Sequence, residues 1–157
     1  MNADHQSMSN KPYTRLSLMI VLSFVSMYVL MYAMVNTFAN VYSSFNQVYM
    51  AGLMTAPMLV LEVSLMGMMY PNKKWNAALI AVGAVALVGF FALIRQQAAV
   101  GDKQFLRSMI PHHAGAILMA EQSDTRDPEI KKLVEDIITS QRAEIEQMKR
   151  KLAELDK

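Results

Sequence analysis

The 157-residue chain contains no cysteine, which excludes disulfides, thiolate metal sites and cysteine nucleophiles in one step. Charge is missing over a long stretch: no charged residue lies between Arg15 and Glu62. Acidic residues are almost absent up to Val100, where Asp4 and Glu62 face Lys11, Arg15, Lys73, Lys74 and Arg95, whereas the rest of the chain holds ten basic and eleven acidic residues. The formal charge of +2 therefore averages two unlike halves. No basic face stands apart from the acids interleaved with it, so nucleic acid is not an expected partner. No nucleophilic or acid–base constellation is recognisable, so neither an enzyme nor an organic cofactor is expected. What the chain has in quantity is methionine, 15 residues of it.

The uncharged polar stretch Asn36 to Gln47 splits the apolar half into runs long enough to cross a bilayer core, which takes about 20 residues. The reading places three spans, at Leu16 to Val35, Tyr49 to Tyr70 and Trp75 to Ile94. They form a membrane domain at 16–96 between a cytoplasmic N-terminal segment at 1–15 and a soluble helical hairpin at 101–157. The first run is preceded by Lys11 and Arg15 and followed by Thr37-Phe38-Ala39, a faint small-x-small pattern. It is nonetheless longer than the roughly 7 to 15 apolar residues of a signal-peptide core, so removal is not expected. Basic residues before the first span and between the second and third, with none between the first and second, put the N-terminus in the cytoplasm. Three crossings then place the hairpin on the periplasmic or extracellular side of an inner membrane.

In the second span Met50, Met54, Met58, Glu62 and Met66 recur every four residues, with Pro57 adding a kink, and in the first Met27, Met31 and Met34 share a face. A strict four-residue repeat winds around a 3.6-residue helix. Methionine is a flexible apolar filler suited to helix packing; the alternative is a row of thioether ligands that includes Met54, Met58 and Glu62. A carboxylate inside a span costs roughly 2.5 kcal/mol or more and marks a candidate functional group. Hydroxyls of Ser23, Ser26 or Tyr28 are candidates to cap it.

Beyond Gly101, the residues Phe105, Met109, His112, Ala116 and Met119 alternate four and three apart, the spacing of a helical seam. Asp102 reads as the N-cap, and Pro111 inside the run is expected to kink the helix or break it. Ser123 to Asp127 reads as a turn, and Asp127-Pro128-Glu129 opens a second helix with a cap, a proline at its first position and an acidic first turn. That helix lines up Val134, Ile137 or Ile138, Gln141, Ile145, Met148, Leu152 and Leu155. Met109, His112 and Met119 form one set of candidate ligands, and Gln141, Glu144 and Met148 a second on the facing helix. Imidazole with thioether suits copper(I), in a compartment too oxidising for free thiols. Plain packing and hydrogen bonding by these side chains is the competing reading. A tight reversal near Asp124 would set Met119 near residue 130, His112 near 137 to 138, and Met148 at the level of the helix start beside Met109.

The stretch from Phe105 to Leu152 closely resembles the family catalogued as domain of unknown function 305. The elements that carry the resemblance are Met109-Ile110-Pro111-His112-His113, Ala116, Met119-Ala120, Ile137-Ile138, Gln141, Glu144-Ile145 and Met148. It implies a ferritin-like helical bundle and copper(I) binding, with silver(I) as an alternative, through Met109, His112, His113, Met119 and Met148, with Gln141 and Glu144 as further candidates. Family domains often hold the hairpin twice, and this chain holds it once, so a four-helix bundle would form in a homodimer. A ferritin-type di-iron site needs a Glu-x-x-His pair on each of two helices, and neither helix has one. The expected whole is an all-α, membrane-anchored metal-binding protein whose partners are a metal ion, the lipid bilayer and a second copy. The alternative is an interaction module without metal that dimerises through the hairpin.

Overall fold

The computed structural model describes the backbone of residues 2–157 and side chains from Lys11 onward, so Asp4 and most of the N-terminal segment 1–15 lie outside the described side chains. Five α-helices follow one another: α1 (Asn2–Leu30), α2 (Phe45–Leu65), α3 (Lys73–Gln96), α4 (Asp102–Gln122) and α5 (Pro128–Leu155). Short 3-10 turns at Met31–Met34, Phe38–Asn40 and Gly67–Met69 complete the regular structure, and the described residues contain no strand. The fold class is all-α.

The chain divides into two compact units. One holds the residues up to Leu30 with Val48–Ala98; the other holds Met31–Gln47 with Ala99–Lys157.

The first unit is built on three segments long and apolar enough to cross a membrane: Lys11–Met34, Phe45–Leu65 and Lys73–Gln96. The second begins four residues before the expected Tyr49 and stops at Leu65, because Gly67 and Pro71 leave the segment up to Tyr70 without a continuous helical backbone. Pro57 is absorbed within α2, which remains one helix. The small residues Ala51, Gly52, Thr55 and Ala56 are the buried face of α2. A Cβ on Gly52 would stand 2.5 Å from the Phe90 ring, so that glycine is what lets α3 approach. At the opposite end Leu16, Val63 and Tyr70 form a small core. There the Tyr13 hydroxyl donates to Asn76 Oδ1 (2.9 Å) and accepts from the Asn72 amide (3.1 Å), while Asn72 caps α3 through the amides of Lys74 and Trp75. The remaining surface is strongly apolar, with Leu18, Leu22, Val25, Val29, Val82, Val85, Val88 and Phe91 exposed. Such a surface is at home in hydrocarbon rather than in water.

The second unit is the α4–α5 hairpin with the segment 31–47 packed on it. Ile110, Ala114, Ile117, Ile145 and Leu152 are its buried centre, and Val35 and Tyr42 from the segment pack against them. Gly115 faces the segment, where a Cβ would make ordinary contact with the Met34 carbonyl oxygen at 3.4 Å. Gln104 of α4 accepts a hydrogen bond from the Phe45 amide at 2.9 Å. Sequence reasoning placed residues up to Val35 in the first span and read Asn36 to Gln47 as a polar loop. The apolar residues of the segment follow no helical or strand period, so they announce no packing face.

Asp127 caps α5 as expected, its carboxylate accepting from the amides of Glu129 and Ile130, with Pro128 at the first position. Two expectations for α4 are corrected and one is narrowed. The N-cap is Gly101, not Asp102, which is the first helical residue. Of the two outcomes expected at Pro111, a kink or a break, the break is not found: the helix is continuous, and burial of Ile110 and Ala114 on either side holds it against the loss of one backbone bond. The seam is also rotated by about one residue. Ile110 and Ile117 are fully buried, whereas Phe105 (51 %) and Met119 (56 %) are exposed and His112 faces outward. Both lines have the 4-3 period; burying the isoleucine line keeps the His112 imidazole in solvent, whereas burying the other would cost its desolvation.

Candidate functional site

Levels along the hairpin are marked by three contacts between ionisable side chains of its two helices. Lys103 pairs with Asp156 (3.0 Å), His113 with Glu144 (3.0 Å), and Glu121 with Arg142. The expected register, with His112 opposite 137 to 138, is therefore shifted by roughly two helical turns. The cause is the connection: Ser123 (ψ 130°) and Asp127 (ψ 131°) are extended, so the link climbs before α5 begins and the first turns of α5 overhang the end of α4. Ile130 and Leu133, which lie in that overhang, are exposed.

In this register two i, i+4 pairs face each other across the hairpin: Met109 with His113 on α4, and Glu144 with Met148 on α5. Such pairs lie about 5–6 Å apart on one helix face. Met148 packs against the buried cluster and Met109 is half-buried. His113 is the most enclosed polar group here, with its side chain 12 % exposed. Its Nδ1 lies 3.0 Å from Glu144 Oε2 but without hydrogen-bond geometry, so that buried nitrogen has no hydrogen-bond partner. Gln141 Oε1 and Arg107 Nε are likewise buried and unpartnered. Arg107 was not singled out from the sequence, where one basic residue among many on a helix carries no signal.

Burial lowers the His113 pKa below its usual 6.5; the Glu144 carboxylate opposes this, and His112 adds to the lowering. The neutral ring, with one nitrogen lone pair available, is the favoured form at neutral pH. Because the folded-state value lies below the unfolded one, this group's stability contribution is complete above about pH 6.5 and is lost as the pH falls below it. Thermal melts of the full chain between pH 7.5 and 5.5 are expected to show a loss of stability that is shallower in His113→Asn. An equal fall in both would remove His113 from the account.

The structure brings His113 and Glu144 together, and helix spacing puts Met109 and Met148 one turn from them on the same faces. The His112 ring centroid lies 6.1 Å from that of His113, on the exposed side. Met119 is not part of the group: it is exposed, and six residues, about 9 Å of helix, separate it from His113. Among the described residues no three His, Asp or Glu side chains converge as a metal site.

Met54, Met58 and Glu62 belong to the first unit. Met50 and Met54 are exposed along α2, away from its buried small-residue face, Met58 is half-buried, and Met66 is exposed just beyond the end of the helix. Glu62 accepts a hydrogen bond from the Tyr70 hydroxyl at 3.2 Å, so its partner is the α2–α3 connection instead of the expected α1 hydroxyls.

A family model described as "Domain of unknown function (DUF305)" matches residues 89–152, which contain all of α4 and most of α5. The chain is also similar to "Uncharacterized protein L153" of Acanthamoeba polyphaga mimivirus, with 38% identity over 134 residues, covering 83% of this chain and 86% of that one. No solved structure matches it. Similarity at that level over most of both chains, together with the family match across the hairpin, means that the chain belongs to the DUF305 family.

Proposed function

We propose that the protein is a multi-pass membrane protein whose hairpin binds copper(I), or silver(I), for metal handling or tolerance at the cell envelope. The observation that carries this reading is the buried, unpartnered His113 Nδ1 beside Glu144, with Met109 and Met148 one turn away. A neutral imidazole with two thioethers is a soft donor set that favours copper(I) over zinc. His113, Met109 and Met148 are the ligands, Glu144 orients the imidazole or neutralises charge, and His112 stands at the rim. Purification from copper-supplemented cells, followed by metal analysis, tests this; copper retained in stoichiometric amount supports it, and zinc or no metal contradicts it.

A second reading rests on a different observation. Phe105 and Met119 along α4, and Ile130 and Leu133 in the overhanging first turns of α5, are exposed apolar residues of the hairpin. We read these residues as the surface on which a second copy docks, giving a ferritin-like four-helix bundle with His112 facing the partner. The interaction-module alternative needs that dimer and no metal.

The proposed orientation has the ends bearing Lys11, Arg15, Lys73 and Lys74 in the cytoplasm. Segment 31–47 and the hairpin belong to one unit, as three crossings require if both lie on the outer side. A phosphatase fusion at Lys157 is expected to be active and a cytoplasmic-only reporter silent; the reverse pattern would overturn this topology.

A further inference from the structure

The first unit carries an apolar groove between α1 and α3, floored by α2. It comprises two adjoining cavities of about 550 and 300 Å³ that share Ile20, Val21 and Leu59. Its mouth is polar and aromatic, with Tyr13, Ser17, Asn72 and Trp75, and its inner part is wholly apolar and reaches Phe24, Ala86 and Phe90. Tyr13 to Phe24 on α1 is eleven residues, about 16 Å of helix, and Trp75 to Phe90 on α3 is fifteen, about 22 Å. Both fall short of the roughly 30 Å of a bilayer core, so the groove does not cross it. A transmembrane helix of a second copy would need a groove through both leaflets, and this one closes where the Phe90 ring sits on Gly52.

Charge at the mouth end supplies the headgroup. The exposed Lys73 and Lys74 open α3 directly beside Asn72 and Trp75 of the mouth, whereas Lys11 and Arg15 line a neighbouring pocket with Glu62, the one acidic side chain among the described residues up to Val100. Tyr and Trp at the mouth are the side chains that settle at a membrane–water interface. Cations clustered at the end of an interhelical groove recognise anionic headgroups.

We propose that this groove holds one anionic glycerophospholipid, an acyl chain lying along Ile20, Val21 and Leu59 and its phosphate facing Lys73 and Lys74. The inference rests on reading α1–α3 as membrane spans and is independent of metal binding. The test is native mass spectrometry of the full chain reconstituted with equal phosphatidylglycerol and phosphatidylethanolamine. Vesicle flotation of the same samples reports membrane insertion separately. One retained lipid per chain is expected, with phosphatidylglycerol favoured at least about fivefold, and Lys73→Gln with Lys74→Gln should remove the preference. Val21 is largely exposed into the groove, so Val21→Trp should fill it and release the lipid while leaving flotation unchanged. Inserted protein that retains no lipid, that holds both headgroups equally, or that keeps its lipid in Val21→Trp overturns the proposal. A cross-link from position 21 to position 21 of a second copy, with no lipid retained, does so as well.

Discussion

The variant with both His112→Ala and His113→Ala is expected to bind copper(I) about 100-fold more weakly than the parent, a loss of the size that follows removal of groups that hold or orient a metal. The geometry ranks the single substitutions. His113 is enclosed and its Nδ1 has no hydrogen-bond partner, so it accounts for most of the effect. Met109→Leu and Met148→Leu keep volume and remove sulfur, and each is expected to cost about tenfold. Met119→Leu should bind as the parent does, because Met119 is exposed and well over one helical turn from His113. Equal loss in Met119→Leu and Met109→Leu would mean that the hairpin register drawn from the ion pairs is not the one that binds metal. Affinity unchanged in the double histidine variant would make the cluster structural.

Phe105→Glu combined with Leu133→Glu is expected to weaken self-association by at least about 30-fold, the effect of losing roughly 2 kcal/mol at an apolar contact. Both side chains are more than half exposed within one chain, so the substitution leaves the intrachain core of Ile110, Ile117, Ile145 and Leu152 in place. A hairpin of this length buries little apolar surface by itself, which is why a second copy is expected to cover its exposed apolar residues. Helical content should be unchanged while sedimentation shifts from dimer to monomer. A parent protein that is already monomeric, or a double variant that remains dimeric, would sink the dimer.

The parts legible in the sequence were those with strong local causes. Uninterrupted apolar runs located the three long helices, and Asp127-Pro128-Glu129 placed the start of α5 at the residue where the structure begins it. The family match likewise followed from a run of unlike residues in fixed order. What the sequence did not carry was rotation and register. Two lines on α4, one through Met109, His112 and Met119 and one through Leu106, Ile110 and Ile117, share the same 4-3 spacing, and only packing against α5 and segment 31–47 chooses between them. Register depended on how far an irregular five-residue link climbs, which no periodicity encodes. The reversal of the histidine roles has the same origin: His112 was placed on the seam, and the one-residue rotation puts His113 there instead.

Isothermal titration of the full-length protein with copper(I), run beside zinc(II), tests the central claim most directly. The account predicts saturable binding of one copper(I) per chain, at least about 100-fold tighter than zinc, as a thioether and imidazole site requires. No saturable copper(I) binding, or zinc bound as tightly, would contradict it and leave the hairpin as an interaction module.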